Sequence, residues 1–285
     1  MPESAPRPAD YVIRLMADAA KSTQKDRFLH GHLIELPASG DVLITGDLHG
    51  NVANFLRILK IADLPHHPHR HLILQEVLHS MYDDTPDHSY QILEEVAILK
   101  NVYPSQVHIL LGNHDLAELL GLDIMKKGRS VLRQFQKSLE DAYQFNHDVV
   151  RKAYLGFLRT LPWAAATASG LFICHSMPDR SHVDLFSREL FTASPAEGDL
   201  TKTSPAFRLT WGRDISGSTA AAFLQRVGAS LLITGHHPCR DGHAQPNPHQ
   251  IILDCKDAHG AYLLVPLDQS LAQDQLVTRI RFLNF

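Results

Sequence analysis

Apolar residues come in short continuous runs: DVLIT at 41–45, HLILQEV at 71–77, VHILL at 107–111, LFIC at 171–174, SLLIT at 230–234, QIILD at 250–254 and AYLLV at 261–265. Runs of this length between polar or glycine-bearing stretches predict buried strands. Between them the period changes to that of a helix. DYVIRLMADAAKSTQKDRF puts Val12, Leu15, Met16 and Ala19 on one face, NVANFLRILKIA (51–62) has Asn51 as a cap, and DHSYQILEEVAILKNV (87–102) is capped near Asp87 or Ser89. The tract 116–161 reads as helical as far as Pro162, and the Ser-, Thr-, Pro- and Gly-rich 185–220 as loops with a short helix. QLVTRIRFLNF at the end adds a further strand. Alternation over the first 115 residues predicts a layered α/β arrangement with crossovers. Neither a linker nor an internal repeat interrupts the chain, so 11–285 reads as a single domain behind a disordered lead, MPESAPRPAD (1–10).

Most of the strands end in one kind of polar cluster: ITGDLHG, ILQEVLH, LLGNHD, FICHS and ITGHHP. Ligand sites in layered sheets gather at the carboxyl ends of strands. Five such ends bring Asp47, His49, Glu76, Asn113, His114, His175 and His236 into one neighbourhood. Oxygen and imidazole donors without clustered thiolates suit two divalent ions, Mn first, with Fe or Zn as alternatives. With Asp47 and His49 on one ion and Asn113, His175 and His236 on the other, one carboxylate must bridge. Such pairs, roughly 3.5–4 Å apart, activate a water for attack on phosphorus.

Composition narrows the setting. The 285 residues are 44% hydrophobic and 20% charged, an ordinary globular balance, and the net charge of −4 gives no field that recruits nucleic acid or an anionic membrane. No run reaches the length of a membrane span or resembles a signal peptide. Cys174, Cys239 and Cys255 form no CxxC pair, which fits a reducing cytoplasm. The 19 histidines are the outlier, and their positions matter because imidazole is the commonest metal ligand.

The ordered series resembles the calcineurin-like metallophosphoesterase superfamily, with its DxH, GDxxD, GNH, H and GHxH motifs. Within it, ITGDLHGNVANFLRILKIADLP, DHSYQILEEVAILKNVYPSQVHILLGNHD, LPWAAATASGLFICHSMPD, RLTWGRD and LLITGHHPCRDG are similar to segments of the phosphoprotein phosphatase (Ser/Thr phosphatase-type) branch, from about Asp41 to Val265. The resemblance implies a central β-sandwich flanked by helices, a four-layer αββα fold. It implies hydrolysis of phosphomonoesters by a metal-bridging hydroxide, with a phosphoprotein or small phosphoester as substrate. Asp47 and His49 would ligate metal one, Asn113, His175 and His236 metal two, and Glu76 would bridge. His114 would hand a proton to the leaving alkoxide or hold the phosphate, and Arg213 and Arg188 would grip phosphate oxygens.

One segment departs from the pattern. GDxVDRG is here QEVLHSM. Gln75 replaces a glycine that lets backbone pass close to the site. Glu76 replaces Asp and pushes its carboxylate out by about 1.5 Å. His79 replaces the Asp that orients the catalytic histidine, which would lower the pKa of His114, and Ser80 replaces a phosphate-gripping Arg. HSM also stands for HGG, and the departures fit a divergent, bacterial member of the branch. They leave two further readings: a diadenosine-polyphosphate or nucleotide hydrolase, since GNHDL resembles those enzymes as closely, and a metal-binding pseudophosphatase. Blander expectations cover the rest. HHPHRH (66–71) reads as an exposed loop, Cys174 as a small buried hydrophobe, His237 as lying outside the ligand set, and Glu94 and Glu95 as a solvated helix face.

Overall fold

Strand and helix alternate along the computed structural model, which describes residues 5–81 and 86–284. Helix α1 (Ala9–Gln24) precedes a short antiparallel pair, β1 (Leu29–His30) and β2 (Leu33–Glu35). Next come β3 (Asp41–Asp47), α2 (Val52–Ala62), β4 (Arg70–Gln75), α3 (Ser89–Val102) and β5 (Val107–Leu110). Helix α4 (Asn113–Leu120) is followed by a hairpin of β6 (Met125–Lys126) and β7 (Arg129–Ser130), then by α5 (Val131–Tyr143) and α6 (His147–Leu158). Strands β8 (Ala164–Ala166) and β9 (Leu171–Cys174) lead to α7 (Arg188–Thr192), α8 (Pro205–Thr210) and α9 (Gly217–Val227). The last elements are β10 (Leu231–Thr234), β11 (His243–Asn247), β12 (Gln250–Leu253), β13 (Ala261–Pro266), α10 (Gln273–Val277) and β14 (Ile280–Phe282).

Two sheets result. One has the order β14-β13-β3-β4-β5, with β3, β4 and β5 parallel as crossover helices require. The other runs β1-β2-β8-β9-β10-β12-β11, with β9, β10 and β12 parallel. The continuous apolar runs now make sense. Alternate side chains point to opposite faces, and both faces are covered. Ile44, Ile73 and Leu110 meet Ile173, Ile233 and Ile251 of the opposing sheet in one core. Their neighbours Leu43, Leu72, Leu74, Phe172 and Leu232 face helices, packing with Met16, Phe55, Val96, Phe157 and Phe223. This is the sandwich flanked by helices. Each fully buried Leu or Ile contributes about 1.5–3 kcal/mol, so a charge at Ile73 would break the inner core.

The tract 116–161 is not continuous helix: Gly121 takes a left-handed φ of 63° and ends α4, and Gly128 (φ 78°) turns the β6–β7 hairpin. The tract 185–220 holds α7, α8 and the start of α9, more helix than expected. At the amino end α1 starts at Ala9, and Arg7 bonds to Glu94 and Glu95, so a disordered lead does not extend to 10 (1–4 lie outside the described residues). Glu94 is not solvated: it is buried and accepts from Arg7 at 2.8 Å, Tyr154 Oη at 2.6 Å and Tyr143 Oη. Nor is HHPHRH all loop. His66 to His69 are exposed, but Arg70 and His71 begin β4, and Arg70 holds Asp41 through two hydrogen bonds of 2.7 and 3.0 Å. Among the described residues no helix is long and apolar enough to cross a membrane.

Candidate metal centre

The carboxyl ends of β3, β4, β5, β9 and β10 converge, each carrying polar residues with it. Asp47 is the last residue of β3, and Glu76 directly follows β4. The backbones there are knit together, because the amides of Leu48 and His49 both donate to the carbonyl of Glu76, at 3.2 and 2.8 Å. Asn113 and His114 open α4, while His175 and His236 follow β9 and β10. Seven non-glycine residues among those described have positive φ, and four are here: His49 (43°), Glu76 (46°), His79 (63°) and His236 (67°). Such conformations cost of order 1–3 kcal/mol each, and they concentrate where side chains are aimed at a common point.

Two glycines make room for the carboxylates. A Cβ on Gly112 would lie 2.0 Å from Glu76 Oε1, and one on Gly235 would lie 2.2 Å from Asp47 Oδ1. The longer Glu76 is accommodated in two ways: the β3–β4 register shifts between Ile44 and Asp47, and Glu76 takes its left-handed φ. Its carboxylate then accepts from the His114 amide at 3.1 and 3.3 Å. Gln75, at the position where a glycine was expected, is buried and donates to the Thr45 carbonyl at 3.1 Å.

The donor atoms meet closely. Asn113 Oδ1, His175 Nε2 and His236 Nδ1 form a triangle with sides of 2.8, 3.0 and 3.0 Å. The opposite nitrogens, His175 Nδ1 and His236 Nε2, are buried without a hydrogen-bond partner among the described residues. A shared cation would resolve three lone-pair atoms packed so tightly. His49 Nδ1 lies 3.2 Å from the Leu78 carbonyl, to which it can donate only as N–H. Its Nε2, 3.8 Å from Asp47 Oδ2, is thereby left as the nitrogen that would ligate a cation. Donor atoms of His49, Glu76 and His114 lie within 4.8 Å of one another, and so do those of Asp47, Glu76 and His175. Glu76 is common to both groups. The grouping differs from the expected division in two respects: Asp47 sits with His175, and His114 lies close enough to act as a ligand.

Electrostatics point the same way. Burial pushes Asp47 up to about 7, helped by the charges of Asp254 and Asp115 and opposed by the His236 amide. Burial, with Asp115 and Asp47 close by, holds Glu76 well above the carboxylate range. Burial also lowers His49 to about 4 and puts His114, His175 and His236 below the usual imidazole range. Buried carboxylates that favour protons beside bare imidazoles form a site short of positive charge. Divalent cations fit it.

Above the donors lies a cavity of about 100 Å³, room for a phosphate group or about three waters. Arg213 lines it, and its charge adds to burial in lowering His175, His236 and His237. Arg188 does not line it: it is bonded at 2.5 Å to Glu35. His237 is half-buried, edge-on to His236. Trp211, Lys126 and Lys256 also line the cavity and were missed from sequence. Lys126 belongs to the hairpin inside the tract expected to be helical, and Gly121 and Gly128 were the available signal. His79 and His114 face each other at 3.0 Å.

Comparisons agree with this geometry. Residues 40–240 match the calcineurin-like phosphoesterase family. A "probable serine/threonine-protein phosphatase" of Encephalitozoon cuniculi is 25% identical over 230 residues, covering 74% of this chain and 46% of that protein. The chain thus spans about half the length of that curated relative. A protein serine/threonine phosphatase from Saccharomyces cerevisiae, described as similar to human phosphatase PP5, superposes with a TM-score of 0.68 at 13% identity, covering 95% of this chain and 86% of that one. A cold-active protein-tyrosine phosphatase of a psychrophilic Shewanella superposes at 0.56 and 13% identity, over 84% and 78%. At such identity these two share the fold alone. The family match covers more than half of the chain, which belongs to the calcineurin-like phosphoesterase family.

Proposed function

We propose that this phosphoesterase hydrolyses phosphomonoesters of the Ser/Thr phosphatase type, using two divalent cations, Mn first. The supporting observation is that two candidate ligand groups share Glu76 beneath a cavity also lined by Arg213 and Lys126. Asp47, His49, Glu76, Asn113, His175 and His236 would hold the ions. What the cations supply when bound is an activated water and neutralisation of charge at phosphorus. Arg213 and Lys126 take phosphate oxygens at the cavity, in place of the arginine lost at Ser80. His114 holds or delivers a proton at the leaving oxygen. Trp211 and Met81, which also line the cavity, limit the approach of water. Three free cysteines, two of them buried, support a cytoplasmic location.

The test is hydrolysis of an aryl phosphate and a phosphopeptide with added Mn²⁺, against an Asp47→Ala control. Activity above the control is expected. No difference from the control sinks the reading. A far higher rate on diadenosine tetraphosphate than on the phosphopeptide replaces the substrate class.

A further inference from the structure

We propose that Glu118 and His79 act as a positioning relay that fixes the proton on His114, an inference that takes the phosphatase reading as its setting. His114 and Glu118 lie four residues apart on one face of α4, and the His79 ring sits between them. His79 Nδ1 is 3.0 Å from His114 Nδ1, and His79 Nε2 is 3.3 Å from Glu118 Oε2. His79 and Glu118 are each 1% exposed. Phe135 packs edge-on against the His79 ring at 5.2 Å, and Arg151 of α6 donates to Glu118 Oε1 at 2.7 Å. The carboxylate is thus held from behind and the ring from its face.

The hydrogen-bond chemistry then has one direction. A carboxylate only accepts, so His79 Nε2 must carry the proton that points at Glu118. Neutral His79 then has a bare Nδ1. The 3.0 Å contact between two Nδ1 atoms needs one proton, and only His114 can supply it. His114 is therefore fixed as the Nδ1–H form, and its bare Nε2 is left for the cavity that His114 lines, where the proton it hands to the leaving oxygen is one it first takes from the attacking water. A carboxylate reached through an intervening imidazole does what a directly bonded carboxylate would do. The loss of the orienting aspartate, where His79 now stands, is compensated from α4, not left open.

The test pairs a spectroscopic arm with a kinetic one. Long-range ¹⁵N–¹H NMR of the metal-free protein reads the tautomers of both rings. The expected result is Nδ1–H for His114 and Nε2–H for His79 in the parent, with His114 becoming a mixture in Glu118→Gln. An unchanged His114 tautomer in that variant overturns the relay. If Glu118→Gln does not fold, Glu118→Asp keeps the charge facing Arg151 but withdraws it by about 1.5 Å, and the same tautomer mixing is expected. With Mn²⁺, Glu118→Gln should lower kcat about 10–100-fold and move KM less than about twofold. In a His79→Asp background, where the introduced carboxylate would bond His114 directly, the same Glu118 change should cost less than about threefold. An equal loss in both backgrounds makes Glu118 merely structural and rejects the proposal. A parent with no hydrolysis removes the phosphatase reading, and the NMR arm still decides the relay.

Discussion

Strands β4 and β5 carry a buried histidine cluster at each end, and the two clusters are built on opposite principles. At the amino ends, His71 Nδ1 lies 3.1 Å from His108 Nε2, and His108 Nδ1 lies 3.2 Å from Asp26 Oδ2. Lys100 completes the group, its ammonium donating to Asp26 at 2.8 Å, the Pro104 carbonyl at 2.6 Å and the Val107 carbonyl at 3.0 Å. All three ammonium protons are used. Burial alone would raise Asp26, but His108 and Lys100 hold it below the usual carboxylate range. At the carboxyl ends, burial raises Asp47 to about 7 and holds Glu76 well above the carboxylate range, and ring nitrogens of His175 and His236 have no hydrogen-bond partner among the described residues. Histidine burial therefore does not mark a site. The mark is whether the cluster closes its own charge. The amino-end cluster closes its charge through Lys100 and Asp26 and holds the fold, while divalent cations would complete the carboxyl-end cluster.

The sharpest way to break that comparison is to remove one carboxylate from each end. Asp47→Asn should lower Mn²⁺-dependent hydrolysis by about 1,000-fold or more, several kcal/mol of transition-state stabilisation. The metal-free variant should be at least as stable as the parent, because an uncompensated buried charge is gone. In thermal melts, Mn²⁺ at about 100 times its Kd should stabilise the parent by about 2.7 kcal/mol and leave the variant unmoved. A variant that melts far below the metal-free parent would show that Asp47 holds the fold rather than a cation.

Asp26→Asn should do the reverse. It leaves the buried Lys100 ammonium without its counter-charge, at about 3–5 kcal/mol of stability read from urea unfolding. Its kcat with Mn²⁺ should stay within about twofold of the parent. A fall in kcat comparable to that of Asp47→Asn would mean that the two ends are not separate.

The difference between the ends also explains what was legible in the sequence. The strand runs and their polar ends carried the layered α/β arrangement and the convergence of Asp47, His49, Glu76, Asn113, His114, His175 and His236, because strand direction alone sends these residues to one edge, while the sandwich came from the family resemblance. Asp26, Lys100 and His108 gave no pattern. Their pairing joins residues 74 apart for Lys100 and Asp26, and a charged residue on an apolar helix reads as solvated until its partner is known. Glu94 was misread for that reason, since its partners Tyr143 and Tyr154 come from α5 and α6. Glu118 was missed likewise. His79 was recognisable as a departure, but the carboxylate behind it lies 39 residues on. Arg188 was expected only because the resemblance calls for phosphate-gripping arginines, and Glu35 takes it.

The smallest effect tests closure itself. His71 is lowered to about 3, by burial first and then by the charge of His108. An unfolded histidine titrates near 6.5. Between these values the unfolded chain binds a proton that the folded chain refuses, so stability is lost as pH falls through that window. His71→Phe, which keeps a ring against Phe28, removes this proton from the balance. The loss of stability between about pH 7 and about pH 5, from urea unfolding of metal-free protein, should shrink by on the order of 1–2 kcal/mol in the variant. Other buried histidines contribute to the parent's slope but cancel in the difference between the two proteins. If the slope is unchanged, His71 takes up its proton in the folded state too. The amino-end cluster would then be open to charge as the carboxyl end is, and the contrast between them would have to rest on Lys100 and Asp26 alone.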